Sequence, residues 1–151
     1  TKKFQTELAQ FLVRSSGMRI VIARIFNLKA RSLSEHLFLG TLYRQIDAIK
    51  RGEADRVELG YLEDFRDYID VVDAAKALCT IMQSGKSGEV YNVASGRPVR
   101  IRDLLRQILE EEGISPGSVK QRDQSEARVA NSAYADVGKL RSLEREEKTR
   151  E

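Results

Sequence analysis

Arg66 sits in Phe65-Arg66-Asp67-Tyr68-Ile69-Asp70-Val71, the string in this chain with most to offer a ligand. A guanidinium can grip a diphosphate through two parallel charge-assisted hydrogen bonds, which the point charge of a lysine cannot reproduce. Chemistry alone favours a surface ion pair of this arginine with Asp64 or Asp67. Asn27 directly follows a dense apolar run, at the carboxyl end of a candidate strand, where ligands of open α/β sheets bind. Its amide offers two donors and one acceptor. Asparagine also suits a position that simply turns the backbone, so both uses stay open. Asp67 and Asp70 read as residues that orient the loop and cap a helix.

Other chemistries find few residues. Cys79 is the only cysteine, which excludes an intrachain disulfide and a cysteine-based zinc cluster. It falls on the apolar side of a helical pattern and is expected to be a buried, inert thiol. His36 is also single and reads as a loop or helix-start residue, so no metal site is expected. No Gly-x-x-Gly-x-x-Gly turn follows a strand, and neither a Walker loop nor a nucleophile elbow is present. The net charge of +3 arises from 26 basic and 23 acidic side chains that are well mixed, a weak footprint for nucleic acid. No run approaches the roughly 20 apolar residues that span a bilayer, and no signal-peptide apolar region opens the chain, so a cytoplasmic protein is expected.

The elements that must position these residues alternate helix and strand, the α/β signature. With 151 residues the chain is expected to fold as one unit. Phe4, Leu8, Phe11 and Leu12 predict a helix over 3–15 that stops at Gly17, and the β-branched run Met18 to Phe26 predicts a parallel strand buried on both faces. Leu37, Phe38, Leu42, Ile46 and Ile49 predict a helix ending at Gly52, and 56–59 a short strand. Asp70 can cap a helix whose inward positions are Val71, Ala74, Ala75, Leu78 and Met82. Strand 89–94 and an amphipathic helix over 101–112 follow, with Leu104, Leu105, Ile108 and Leu109 inside and Gly113 at its end. Past Pro116 the pattern fades, and 135–143 predicts a last short helix.

Arg24-Ile25-Phe26-Asn27, the Arg66 string and Gly88-Glu89-Val90-Tyr91-Asn92-Val93-Ala94-Ser95-Gly96, taken together, resemble the second half of an extended short-chain dehydrogenase/reductase of the NAD-dependent epimerase/dehydratase family. The likeness is closest to the reductases and dehydratases of GDP-mannose-derived 6-deoxy sugars, and it covers most of residues 1–140. It implies the carboxyl-terminal part of a Rossmann-like parallel sheet plus the small substrate-binding α/β subdomain, over 1–143, followed by a charged tail over 144–151. By that resemblance Arg66 binds the diphosphate, Asn27 contacts the substrate's phosphate region, and Leu37 and Phe38 line the nucleotide pocket. Arg128, ahead of Asp136-Val137-Gly138-Lys139-Leu140, is similar to a second, late arginine of the family that reaches the diphosphate. Thr1-Lys2 resembles the end of the catalytic Tyr-x-x-x-Lys motif, in which the lysine holds the nicotinamide ribose and lowers the tyrosine's pKa. In that register the tyrosine precedes residue 1.

The implied parent enzyme uses NAD or NADP, needs no metal, and moves hydride at C4 of a nucleotide-linked hexose, with a GDP sugar favoured. This chain alone, lacking the phosphate cradle and the phenol, is expected not to turn over. Its expected partners are the nucleotide sugar and either further copies of itself or a chain carrying the glycine-rich half. The alternative is a non-catalytic binding or assembly fragment that pairs with another chain. Two features depart from the family pattern. Leu28-Lys29-Ala30-Arg31-Ser32 replaces the usual small-residue turn, leaving Lys29 and Arg31 as candidates to meet phosphate, and Val129 stands where proline usually follows the late arginine.

Overall fold

The computed structural model describes residues 1–121 and 129–149. Among the described residues five helices and eight short strands follow one another: α1 (Lys2–Ser16), β1 (Ile22–Ile25), β2 (Asn27–Lys29), α2 (Phe38–Lys50), β3 (Val57–Leu59), β4 (Phe65–Asp70), α3 (Val71–Ser84) and β5 (Val90–Val93) come first. After them come β6 (Pro98–Arg100), α4 (Ile101–Glu111), a 3-10 turn at Pro116–Ser118, β7 (Val119–Gln121), β8 (Ser132–Ala133) and α5 (Gly138–Lys148). The fold is α/β, as expected, and β1–β5, β3–β7 and β4–β8 all pair in parallel.

Where one folded unit was expected, the chain forms two. Unit 1 gathers Thr1–Leu28, Asp67–Arg97 and Ala135–Glu151, and unit 2 gathers Lys29–Arg66 and Pro98–Tyr134. Composition could not show this, because the chain passes between the units several times and each collects its core from segments far apart in sequence.

Unit 1 is built on β1 and β5, in the register Ile22↔Val90 through Ile25↔Val93. Its core joins Ile69, Ala74, Ala77, Ile81, Tyr91 and Val93 to Leu140 and Leu143 of α5. The predicted strand over 18–26 is shorter than expected and is not buried on both faces, since Ile25 is 42% exposed. Among the described strands β1 pairs with β5 alone, so it lacks the two-sided cover that defines a central parallel strand. Asp70 caps α3 as expected, its carboxylate accepting the Val72 amide at 2.8 Å. The inward face of α3 is nevertheless Ala74, Ala77 and Ile81, while Val71, Leu78 and Met82 are exposed. Alanines let the helix lie close to the sheet, and that rotation carries Cys79 to the surface instead of the interior. Helix α1 ends at Gly17 in the left-handed conformation, as its sequence predicted, yet buries none of its residues.

Unit 2 packs α2 and α4 around β3 and β7. Leu104, Leu105, Ile108 and Leu109 of α4 are buried on the face their spacing predicted, whereas in α2 the predicted Leu42 and Ile46 are buried together with Leu39, while Leu37 is exposed and Phe38 and Ile49 are half-buried. Helix α2 starts at Phe38, with Leu37 extended at its N-cap and His36 in the exposed turn before it. Gly40 is required by a close approach. A Cβ there would stand 2.1 Å from the Ser34 carbonyl oxygen.

Candidate functional site

Strand β4 explains how Arg66 is held. Side chains alternate along a strand, so Arg66 shares a face with residue 64 and not with residue 67. Its Nη2 donates to Asp64 Oδ2 at 2.8 Å, and its Nη1 donates to the carbonyls of Phe65 at 2.8 Å and Asn131 at 3.2 Å. Asp64 is 4% exposed and also accepts the Asn131 amide at 2.9 Å. The ion pair open between Asp64 and Asp67 therefore forms with Asp64. A guanidinium has five N–H donors, and these three contacts leave two for a ligand. The Arg66 side chain remains 25% exposed, within reach of solvent. Leu37, at 52% exposure, and the half-buried Phe38 start α2 in the same unit.

Asp67, on the opposite face of β4, is fully buried and has no cationic partner among the described residues. Its carboxylate accepts four hydrogen bonds, all within unit 1: the amides of Ser95 (2.9 Å), Gly96 (2.9 Å) and Ala135 (3.2 Å) and the Ser95 hydroxyl (2.6 Å). Such a cradle satisfies a buried carboxylate that would otherwise be costly. Asp67 thus orients the loop after β5, the role read from its sequence. What the sequence did not show is the partner, the Ser95-Gly96 turn. Its only sequence signal was the small-residue pair that ends the apolar strand β5.

Asn27 does not turn the backbone, because β2 begins with it. Its Nδ2 donates to the Asp67 carbonyl at 3.0 Å, which leaves the amide oxygen and one N–H of an exposed side chain for other partners. Lys2 opens α1 and is exposed. It lines a 300 Å³ groove with Gln5, Thr6 and residues Ile22, Ala23, Arg24 and Ile25 of β1. Lys2 and Asn27 belong to unit 1, whereas Leu37, Phe38 and Arg66 belong to unit 2. Arg128 lies outside the described residues.

Arg31 is not left free to meet phosphate. It pairs with Glu112 and with Asp47 (2.6 Å), and its guanidinium stands 5.2 Å from the centre of the Tyr43 ring. Glu112 also accepts Lys50 Nζ at 2.5 Å. The hydrogen bond from Lys50 holds the Glu112 carboxyl below its ordinary range, against the opposing effect of burial and with Arg31 assisting. Burial draws the Arg31 pKa down, but Glu112 and Asp47 outweigh it and raise it. Glu112 is the C-cap of α4, where the helix dipole disfavours an anion, so the two cations offset that placement. These four charges hold one another in place.

The family model described as GDP-mannose 4,6 dehydratase matches residues 1–150. The chain is similar to GDP-6-deoxy-D-mannose reductase of Pseudomonas aeruginosa, 33% identical over 97 residues, which are 64% of this chain and 32% of that protein. It is also similar to dTDP-6-deoxy-L-talose 4-dehydrogenase (NAD(P)(+)) of Kitasatospora kifunensis, 26% identical over 110 residues, 72% of this chain and 35% of that protein. The matches thus span about a third of these relatives' length. The structure of RMD from P. aeruginosa complexed with NADPH superposes with a TM-score of 0.82 at 25% identity, over 91% of this chain and 46% of that one. UDP-glucose 4-epimerase of Thermotoga maritima with UDP-glucose shares the fold, with a TM-score of 0.73 at 21% identity over 99% of this chain and 53% of that one.

Proposed function

Since the chain belongs to the GDP-mannose 4,6-dehydratase family, of the extended short-chain dehydrogenase/reductase type, we propose that it supplies the nucleotide-sugar-binding part of an NAD(P)-dependent enzyme acting at C4 of a GDP-linked hexose. The observation that carries this reading is Arg66. Asp64 and two carbonyls fix its guanidinium plane, two N–H groups are uncommitted, and the side chain is partly open to solvent. Fixing the fork beforehand reduces the ordering cost of binding a diphosphate. By family likeness Asn27, anchored through one N–H to the Asp67 carbonyl in unit 1, is assigned a contact with the substrate's phosphate region, and Leu37 and Phe38 of unit 2 are assigned contacts with the nucleotide. Arg128 is assigned the second diphosphate contact.

The described residues fit only one edge of a nicotinamide cofactor. Lys2, beside a groove of suitable polarity, would hold a ribose hydroxyl and keep a neighbouring phenol acidic. The nicotinamide, when bound, gives or takes the hydride at the sugar carbon.

Titration of GDP into the chain by calorimetry tests the assignment. Arg66→Lys should weaken binding by about 1.5 to 3 kcal/mol, the range for hydrogen bonds to charged groups. Equal affinities, or no GDP binding at millimolar concentration, would remove Arg66 from the site and with it this reading of the chain.

A further inference from the structure

A second, larger groove has no part in that reading. It lies wholly in unit 1, between α3 and α5, and has a volume of about 480 Å³. Small-molecule sites commonly measure roughly 300–1,000 Å³. Its floor is apolar and buried, formed by Ile69, Ala77, Ala94, Val137 and Leu140. Its walls carry charge of both signs, unequally committed. Asp70 is occupied in capping α3, and Asp73 pairs with Lys76 at 3.3 Å. Arg97 and Arg141 have no carboxylate partner among the described residues, and Glu144 is the one remaining acid of the lining.

The two arginines are brought to one end of the groove by the backbone. Arg141 Nη2 donates to the Ser95 carbonyl at 3.3 Å, which sets its guanidinium against the Ser95-Gly96-Arg97 turn. Gly96 makes this approach possible. Its φ is +71°, and a Cβ there would stand 2.8 Å from Val137 Cγ2 and 3.2 Å from Arg141 Nη2. The turn itself is pinned from below by Asp67 through Ser95 and Gly96. Two cations without counter-ions thus face an apolar trough on a fixed support, with Tyr68 in the lining. A bare inorganic anion would leave the floor uncovered, and a neutral hydrophobe would leave the guanidinium groups unpaired.

We propose that this groove binds a small organic anion, an apolar or aromatic body bearing a single carboxylate, sulfonate or phosphate. The head group lies between Arg97 and Arg141, and the body rests on the floor between Ile69 and Leu140. The site is separate from the Arg66 assignment and does not depend on it.

Naphthalene-1-sulfonate titrated into the chain, followed by amide NMR, tests this. Saturable shifts are expected at 68–70, 94–97 and 137–144. The double variant Arg97→Gln/Arg141→Gln should bind about tenfold more weakly or worse, with the amide spectrum otherwise unchanged. Arg141→Lys, which keeps the charge, serves as the milder variant and should fall between the two. Naphthalene-1-methanol and inorganic sulfate should each bind at least about tenfold more weakly than the sulfonate. Undiminished affinity in both variants, equal binding of sulfate, or shifts confined to the exposed apolar face of α1 would overturn the proposal. Arg66→Lys should leave this binding unchanged, so its outcome is independent of the GDP titration.

Discussion

Unit 2 covers the apolar faces of its long helices, whereas unit 1 leaves α1 without a buried residue and covers α3 on its alanine face alone. In α2 and α4 the residues Leu39, Leu42, Ile46, Leu104, Leu105, Ile108 and Leu109 are each at most 6% exposed. In α1, by contrast, Phe4 is 67%, Leu8 46% and Phe11 56% exposed, and α3 adds Met82 at 68%. All four helices carry a regular apolar stripe. The stripe dictates which side of a helix gains from leaving water, but whether anything arrives to cover it depends on other segments. The two buried carboxylates differ in a parallel way. Asp64 in unit 2 is met by the Arg66 cation, whereas Asp67 in unit 1 is met by backbone amides and a hydroxyl. An ion pair leaves its cation able to exchange partners with an anionic ligand. A cradle of amides has no such freedom, which makes Asp67 a part of the architecture.

The sharpest break of this contrast is Asp67→Ala. It would strand three amide donors and the Ser95 hydroxyl, and at about 1–3 kcal/mol for each unsatisfied buried group we expect a loss of about 4 kcal/mol in urea unfolding followed by circular dichroism. Amide exchange should accelerate first at 94–96 and 135, before Leu104–Leu109 of unit 2. A loss under about 1 kcal/mol would mean that water replaces the carboxylate and that the cradle is not structural. Next in size, Ile108→Ala in the fully buried face of α4 should cost about 3 kcal/mol through transfer and cavity terms. Exchange protection should then fall in α2 and α4 while β1 and β5 keep theirs. Simultaneous loss in both units would show that they unfold as one.

Acid should separate the units more gently. The Glu112 pKa is depressed in the folded chain, chiefly by Lys50, so its stabilising contribution is complete above the ordinary carboxylate value of about 4.3 and disappears as pH falls through the lower folded value. Glu112→Gln should remove that acid-limb dependence, flattening stability between about pH 5 and 3 by no more than about 1 kcal/mol, since Arg31 and Lys50 are 49% and 42% exposed. A steeper acid limb in the variant would contradict the sign. The smallest effect belongs to the uncovered side of α3. Met82→Ser should change stability by less than about 0.5 kcal/mol, measured by thermal unfolding, and a loss above about 2 kcal/mol would mean that this face is covered in solution.

The sequence by itself determined the local elements. Gly17 and Gly113 as helix stops, Asp70 as a cap, the apolar face of α4, Leu42 and Ile46 of α2 and the β-branched run around β1 were all legible, because propensity, capping and spacing act over a few residues. The candidate site was legible in part. The Arg66 string stood out, but its pairing with Asp64 over Asp67 follows from the alternation of side chains along β4, a strand that the local pattern did not mark. Only the tertiary structure decided that Asn27 continues a strand and anchors on the Asp67 carbonyl, that Cys79 faces outward, and that Arg31 is taken by Glu112 and Asp47. It also decided that the chain divides into two units. Each of these depends on which distant segment comes to lie beside a residue. Asp67 meets Ser95 and Ala135, 28 and 68 positions away, and Arg31 meets Glu112 at 81. Short-range sequence pattern carries no record of such encounters, because they are fixed by the packing of whole elements against one another.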